Sequence, residues 1–148
     1  MADPIGRILA LDLGKKRIGL AISDELGITA QGLPTLERRN KRTDLAVLAA
    51  LIRERAVTQI LLGNPLNMSG KEGRQSEWVH EFAAAIGTYT GVGVKLWDER
   101  LTTVEASRVL RQSGIGIEKR AAAVDKLSAV ILLQSYLDAA SMRRVDPR

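Results

Sequence analysis

Asp12, Glu99 and Asp125 are the side chains of this chain whose type and placement suit catalysis. Asp12 closes the apolar run Ile8-Leu9-Ala10-Leu11, where burying an unpaired carboxylate is costly. Glu99 follows Val94-Lys95-Leu96-Trp97-Asp98, just past the end of another extended run. Asp125 has Ala129, Leu132, Leu133 and Tyr136 on its own helical stripe, so it shares the apolar face of the last helix. Ligands of mixed α/β sheets gather at the carboxyl ends of strands, and two of these acids lie at such ends.

Carboxylates held close together repel and raise one another's pKa unless a cation neutralises them, so a cluster of three calls for a metal. With no Cys and one His in the chain, oxygen ligation favours Mg²⁺ or Mn²⁺ over zinc. Two such ions about 3.5 to 4 Å apart suit in-line displacement at phosphorus, which is phosphodiester hydrolysis. Spacing alone leaves a plainer alternative open. Asp12 could cap a turn, Glu99 pair with Arg100 or the next helix, and Asp125 pair with Lys126 or Lys119.

Positioning these acids requires a mixed sheet. Residues 8–14 and 18–22 read as a hairpin around Gly14-Lys15-Lys16, and 28–36, with Gly32 and Pro34, as an irregular edge strand. Helical spacing then sets in at Leu45, Leu48, Ala49 and Ile52, with Thr43 or Asp44 as the expected cap. A short buried strand at 59–62 leads into a polar loop, 63–73, and a helix over 74–89. The stripe expected on that helix is Trp78, Phe82, Ala85, Ile86 and Tyr89, with its aromatics packed in the core. The strand 94–98 precedes a helix from Thr102 or Thr103 to Ser113, a loop at 114–119, and a last helix over 121–142 that is apolar almost all round. The order predicts a single α/β domain over 1–142, with a five-stranded sheet in which an antiparallel meander passes into βαβα and helices cover both faces. Residues 143–148 read as a short charged tail.

Four blocks resemble the YqgF family, also called RuvX. They are Asp12-Leu13-Gly14-Lys15-Lys16-Arg17-Ile18-Gly19-Leu20-Ala21, Gly63-Asn64-Pro65-Leu66-Asn67-Met68-Ser69-Gly70, Asp98-Glu99-Arg100-Leu101-Thr102-Thr103-Val104-Glu105-Ala106 and Val124-Asp125-Lys126-Leu127-Ser128-Ala129. Together they span nearly the whole chain in the family's order. The resemblance implies a ribonuclease H-like fold and a nuclease that trims the 5′ end of the 16S ribosomal RNA precursor, with Holliday junction resolution in DNA recombination as the older assignment. It implies Asp12, Glu99 and Asp125 as the catalytic and metal-ligating acids, with Asp98 as the substitute for Glu99. Two positions depart from the family's usual wording: Asn64 stands where Leu is common and Ser128 where Ala is common. Neither is one of the acids.

Lys and Arg number 22 against 17 Asp and Glu, a net charge of +5 that favours polyanionic partners. Lys15, Lys16, Arg17, Arg38, Arg39, Arg42, Lys71, Arg74 and Arg100 are the candidate nucleic-acid contacts, suited to holding phosphates without reading bases. Aromatic residues make up only 3%, so no base-stacking platform is expected. His80 falls off the stripe of its helix and reads as a surface histidine. The 148 residues match one compact domain, and the absence of Cys excludes a disulfide framework or thiolate chemistry. The N-terminal MADPIGRILALD lacks a basic leader, and the longest apolar run, 45–52, is far below the roughly 18 to 20 residues that span a bilayer, so a cytoplasmic protein without membrane contact is expected.

The expected partners are precursor ribosomal RNA or branched DNA, with ribosomal precursor particles as a further partner, and the chain acts as a monomer or a homodimer. A nucleic-acid-binding module without activity is the alternative. Asp12-Leu13-Gly14 also resembles the phosphate hairpin of actin-like and sugar-kinase ATPases, but those enzymes enclose their nucleotide with two such domains, and this length supplies one.

Overall fold

A computed structural model of the chain describes residues 6–65, 73–98 and 117–145, with side chains of the last helix described over 126–140. Five strands form one mixed sheet: β1 (Arg7–Leu13), β2 (Arg17–Ser23), β3 (Ala30–Glu37), β4 (Val57–Asn64) and β5 (Gly93–Asp98). Their spatial order is β3-β2-β1-β4-β5. β1 runs antiparallel to β2 and parallel to β4, and β4 runs parallel to β5. The predicted meander followed by parallel strands is therefore the observed topology. The edge position of β3 accommodates Pro34, which has no N–H to give a ladder.

Strand alternation explains the two cores. On β1, Leu9 and Leu11 face one side and pack with Ile60 and Leu62 of β4 beneath α1 (Lys41–Glu54) and α2 (Arg74–Thr90). Ile8 and Ala10 face the other side and pack with Ala21 and Leu61 beneath Ala129, Leu132, Leu133 and Leu137 of α3 (Ile117–Val145). β1 is thus covered on both faces. Burying each such large aliphatic side chain stabilises the fold by about 1.5 to 3 kcal/mol. The N–H of Ile8 donates to the buried Ser23 hydroxyl at 2.8 Å, which satisfies a polar group inside the hairpin.

The helices differ from expectation in three ways. Asn40, not Thr43 or Asp44, caps α1, its Oδ1 accepting from the N–H of Thr43 at 2.8 Å. The helix starts early enough that Thr43 sits in its first turn, where its N–H needs the cap. The buried stripe of α2 is Val79, Phe82 and Ile86, while Trp78 is half-buried at its edge and Tyr89 is 54% exposed. Finally, α3 starts at Ile117, so part of the predicted loop is helical, and it continues to Val145. It is one-sided where its side chains are described, with Lys126, Ser135 and Asp138 exposed. The helix predicted over 102–113 lies outside the described residues.

Candidate active site and nucleic-acid surface

The parallel pairing brings the carboxyl ends of β1, β4 and β5 to one edge of the sheet. Asp12 sits there, half-buried, and alternation with Ile8 and Ala10 puts it on the α3 face. Its partner on β2 is Gly19. One step past the Leu11 and Leu62 pair, its neighbour on β4 is Gly63, which in turn pairs with Trp97 of β5. Asp12 therefore stands between two residues without side chains, an arrangement that lets another group approach a carboxylate over bare backbone. Trp97 bounds the far side of this row. Its indole N–H donates to the Ser135 hydroxyl at 3.3 Å, and its ring meets Tyr136 edge-on at 5.1 Å, which ties β5 to α3.

Asp98 ends β5 in register with Asn64. Val94 and Leu96, which share its parity, pack against the core under α1 and α2, whereas Trp97 packs on the α3 side. Asp98 is accordingly on the face opposite Asp12. Glu99, Lys71 and Arg100 lie outside the described residues. Asp125 lies within α3, one turn before the buried Ala129, and its side chain is also outside them. Among the described residues no group of three His, Cys, Asp or Glu side chains is placed to hold a metal ion.

Of the candidate basic residues, the structure gathers Lys15, Arg38 and Arg74. With Gln75 and Trp78 they line a cavity of about 470 Å³ beside the β1–β2 turn. Arg38 is the organising side chain. Its guanidinium lies over the Trp78 ring at 4.4 Å, donates from Nη1 to the Gly14 carbonyl at 3.0 Å, and places Nε 3.8 Å from Oδ2 of Asp44. Its own N–H donates to the Lys16 carbonyl at 2.8 Å. Asp44 is buried in the first turn of α1, and its other oxygen accepts from the N–H of Arg39 at 3.1 Å. The turn that follows Asp12 is thus tied to the first turn of α1 and to Trp78 of α2. Gly14 is required within it, because a Cβ there would come within 2.7 Å of the Arg17 carbonyl oxygen, to which the N–H of Gly14 donates.

Lys16, Arg39 and Arg42 are exposed but do not line this cavity, and His80 is exposed as expected. The sequence reading did not single out Trp78 or Asp44 as part of a site. A tryptophan beside an equally good apolar stripe, with an arginine cluster preceding the other helix, was the available signal for the first. Asp44 carried no comparable signal, since a first-turn acid is common on helices. No helix among the described residues is long and apolar enough to cross a membrane.

Comparison with known proteins agrees with this architecture. The resolvase of Fowlpox virus, solved with Holliday junction DNA, superposes with a TM-score of 0.55 at 16% identity, covering 90% of this chain and 98% of the other. Thermus thermophilus RuvC, solved with a Holliday junction substrate, gives 0.54 at 12% identity over 91% and 96%. The chain has their ribonuclease H-like fold. A protein of Koribacter versatilis named "Putative pre-16S rRNA nuclease" is 53% identical over 142 residues, covering 96% of this chain and 93% of its own. One of the same name from Syntrophus aciditrophicus is 48% identical, covering 94% and 93%. The sequence profile of the RuvX family, described as Holliday junction resolvase, matches residues 6–139. The chain belongs to the RuvX family.

Proposed function

We propose that the chain is a metal-dependent nuclease that hydrolyses phosphodiester bonds in precursor 16S ribosomal RNA. The observation that carries this reading is the placement of Asp12: at the carboxyl end of the central strand, on the α3 face, between Gly19 and Gly63. The names of relatives that match over nearly all of their length support the substrate. Glu99 and Asp125 complete the acid set in this reading. Asp98 lies on the wrong face to join Asp12, and Glu99 is the next residue with the parity of Lys95 and Trp97. The donor set is all carboxylate, which fits Mg²⁺ or Mn²⁺. When bound, such ions activate water and neutralise charge developing on the leaving oxygen. Asp12 holds its position because β1 is covered on both faces and the Arg38 contact to Gly14 fixes the turn that follows it.

The single domain takes in the last helix to Val145, three residues beyond the expected boundary at 142, and the partner is nucleic acid, free or within ribosomal precursor particles. The family's own description supports a second reading, resolution of four-way DNA junctions. A resolvase needs a dimer to cut two strands symmetrically, while an RNA trimming enzyme can act as a monomer. One assay separates them: a precursor 16S fragment and a four-way junction are offered, with Mg²⁺ or Mn²⁺, to wild type and Asp12→Asn. RNA cleavage lost in the variant supports the first reading, and junction cleavage supports the second. Equal cleavage by Asp12→Asn defeats the mechanism, and binding without cleavage points to a binding module.

A further inference from the structure

The cavity lined by Lys15, Arg38, Arg74, Gln75 and Trp78 lies at the same sheet edge as Asp12 but on the α1 and α2 face. Among the described residues, three cations and no carboxylate line it. Arg38 is held from beneath by Asp44, Gly14 and Trp78 through Nε, Nη1 and its ring contact, and Nη2 takes part in neither polar contact. Its guanidinium is therefore fixed in place before any ligand arrives. Lys15 follows Asp12 by three residues, and Arg74 and Gln75 open α2, whose cap Gly73 supplies no side-chain hydrogen bond to the first-turn N–H groups. Positive charge from side chains and from the helix start is thus concentrated around one concavity.

We infer that this cavity is a second nucleic-acid site, which takes a phosphate of a single-stranded segment next to the bond cleaved at Asp12. The inference deepens the nuclease reading above and rests on it. A strand lying on the α3 face at Asp12 reaches the cavity by crossing the sheet edge over the Gly14 turn, where Lys15 is exposed. That path bends sharply around the edge. A flexible single strand follows it, whereas a stiff duplex cannot turn its backbone into a concavity of this size. The Arg38 plane, backed by the Trp78 ring beneath it, offers a flat surface beside the phosphate for an unstacked base.

The test uses the full chain with EDTA present, so that binding is read without cleavage. A labelled single-stranded RNA and a duplex of the same sequence are titrated by anisotropy at several salt concentrations. Wild type, Lys15→Ala/Arg74→Ala and the charge-matched control Arg53→Ala/Arg55→Ala are compared. Arg53 and Arg55 are exposed at the other end of the sheet, beside the start of β4. The cavity variant is expected to bind the single strand about tenfold more weakly, and its salt slope to fall by about 0.7, the amount for one phosphate on a single strand. The control stays near wild type. With 5-fluorotryptophan incorporated, the fluorine signal of Trp78, distinguished from that of Trp97 by Trp97→Phe, moves when the single strand binds.

If the cavity variant and the control weaken binding equally, if Trp78 is silent, or if the duplex binds as tightly as the single strand, the second site does not exist. Cleavage of precursor RNA that persists in that case leaves the nuclease reading standing. Conversely, a wild type that cleaves nothing but shows the cavity-dependent single-strand binding retains the site and loses the enzyme.

Discussion

Replacing Arg38 with Ala removes three contacts at once, and the structure sets the size of the loss. The side chain is 17% exposed and the Asp44 side chain beside it 2%. A charged donor on a carbonyl, here Gly14, contributes about 1.5 to 3 kcal/mol, and a partly exposed cation over an aromatic ring about 0.5 to 1 kcal/mol. The ion pair to Asp44 is long at 3.8 Å, so its attraction is modest. Its removal still matters, because among the described residues it leaves a buried carboxylate held by the N–H of Arg39 and by the start of α1. These terms are not additive, and about 3 kcal/mol is expected for Arg38→Ala. For a chain of 148 residues that corresponds to a fall in Tm of about 6 to 12 °C. Urea unfolding of four proteins (wild type, Arg38→Ala, Asp44→Asn and the double variant) isolates the pair. Asn keeps an oxygen for the Arg39 N–H but carries no charge, so Arg38→Ala is expected to cost about 1 to 2 kcal/mol less in that background. A cost below about 1 kcal/mol for Arg38→Ala, or the same cost in both backgrounds, would refute the view that Arg38 organises this corner of the fold.

Two glycines make a contrasting pair. Gly14→Ala drives a Cβ against the Arg17 carbonyl, which is backbone and cannot yield without opening the turn, so about 1 to 3 kcal/mol of stability is lost together with nuclease activity. Gly32→Ala meets only side chains, the movable Cε of Lys126 at 2.6 Å and the Lys126 Cγ and Val130 Cγ2 at 3.1 and 3.2 Å, which can shift by a few tenths of an ångström, so it is expected to cost less than Gly14→Ala; equal losses from both in urea unfolding would count against this distinction. The third perturbation is pH. Backbone N–H groups of Thr29 and Ile28 donate to Asp24 and hold its carboxyl below the usual range, so its stabilising effect is present above the unfolded pKa and is lost as pH falls through the folded one. The Tm gap between wild type and Asp24→Ala should accordingly narrow on acidification through the carboxylate range, and a gap that widened there would reverse the assigned sign.

Local patterns carried most of the architecture. The hairpin could be read from two apolar runs around Gly14, and the α1 stripe of Leu45, Leu48, Ala49 and Ile52 is the one observed, because each is decided by residues a few positions apart. The stripe of α2 could not be decided that way. Trp78 and Val79 both continue into Phe82 and Ile86 at helical spacing, so the spacing that puts Trp78 on the expected stripe fits Val79 as well. What takes Trp78 out of the core is Arg38, which supplies a guanidinium to cover its ring from a segment distant in sequence. The same contact sets one aromatic ring beside the basic residues.

The acid set shows how far spacing reaches and where it stops. Asp12 and Asp98 can each be recognised as strand-end carboxylates from their own neighbourhoods, and on that evidence Asp98 and Glu99 are interchangeable. Alternation along β5 divides them, since Val94, Leu96 and Asp98 share one parity and Lys95 and Trp97 the other. Which parity faces Asp12 depends on two parallel ladders, β1 to β4 and β4 to β5, that set the faces of three strands together. A shift of one residue in either ladder would exchange the two faces of β5 relative to β1. With the observed register Leu96 joins the core under α1 and α2, Trp97 lies under α3 with Asp12, and Asp98 faces away from Asp12. The face on which Asp98 lies thus follows from pairing between distant segments, which spacing within the sequence does not encode.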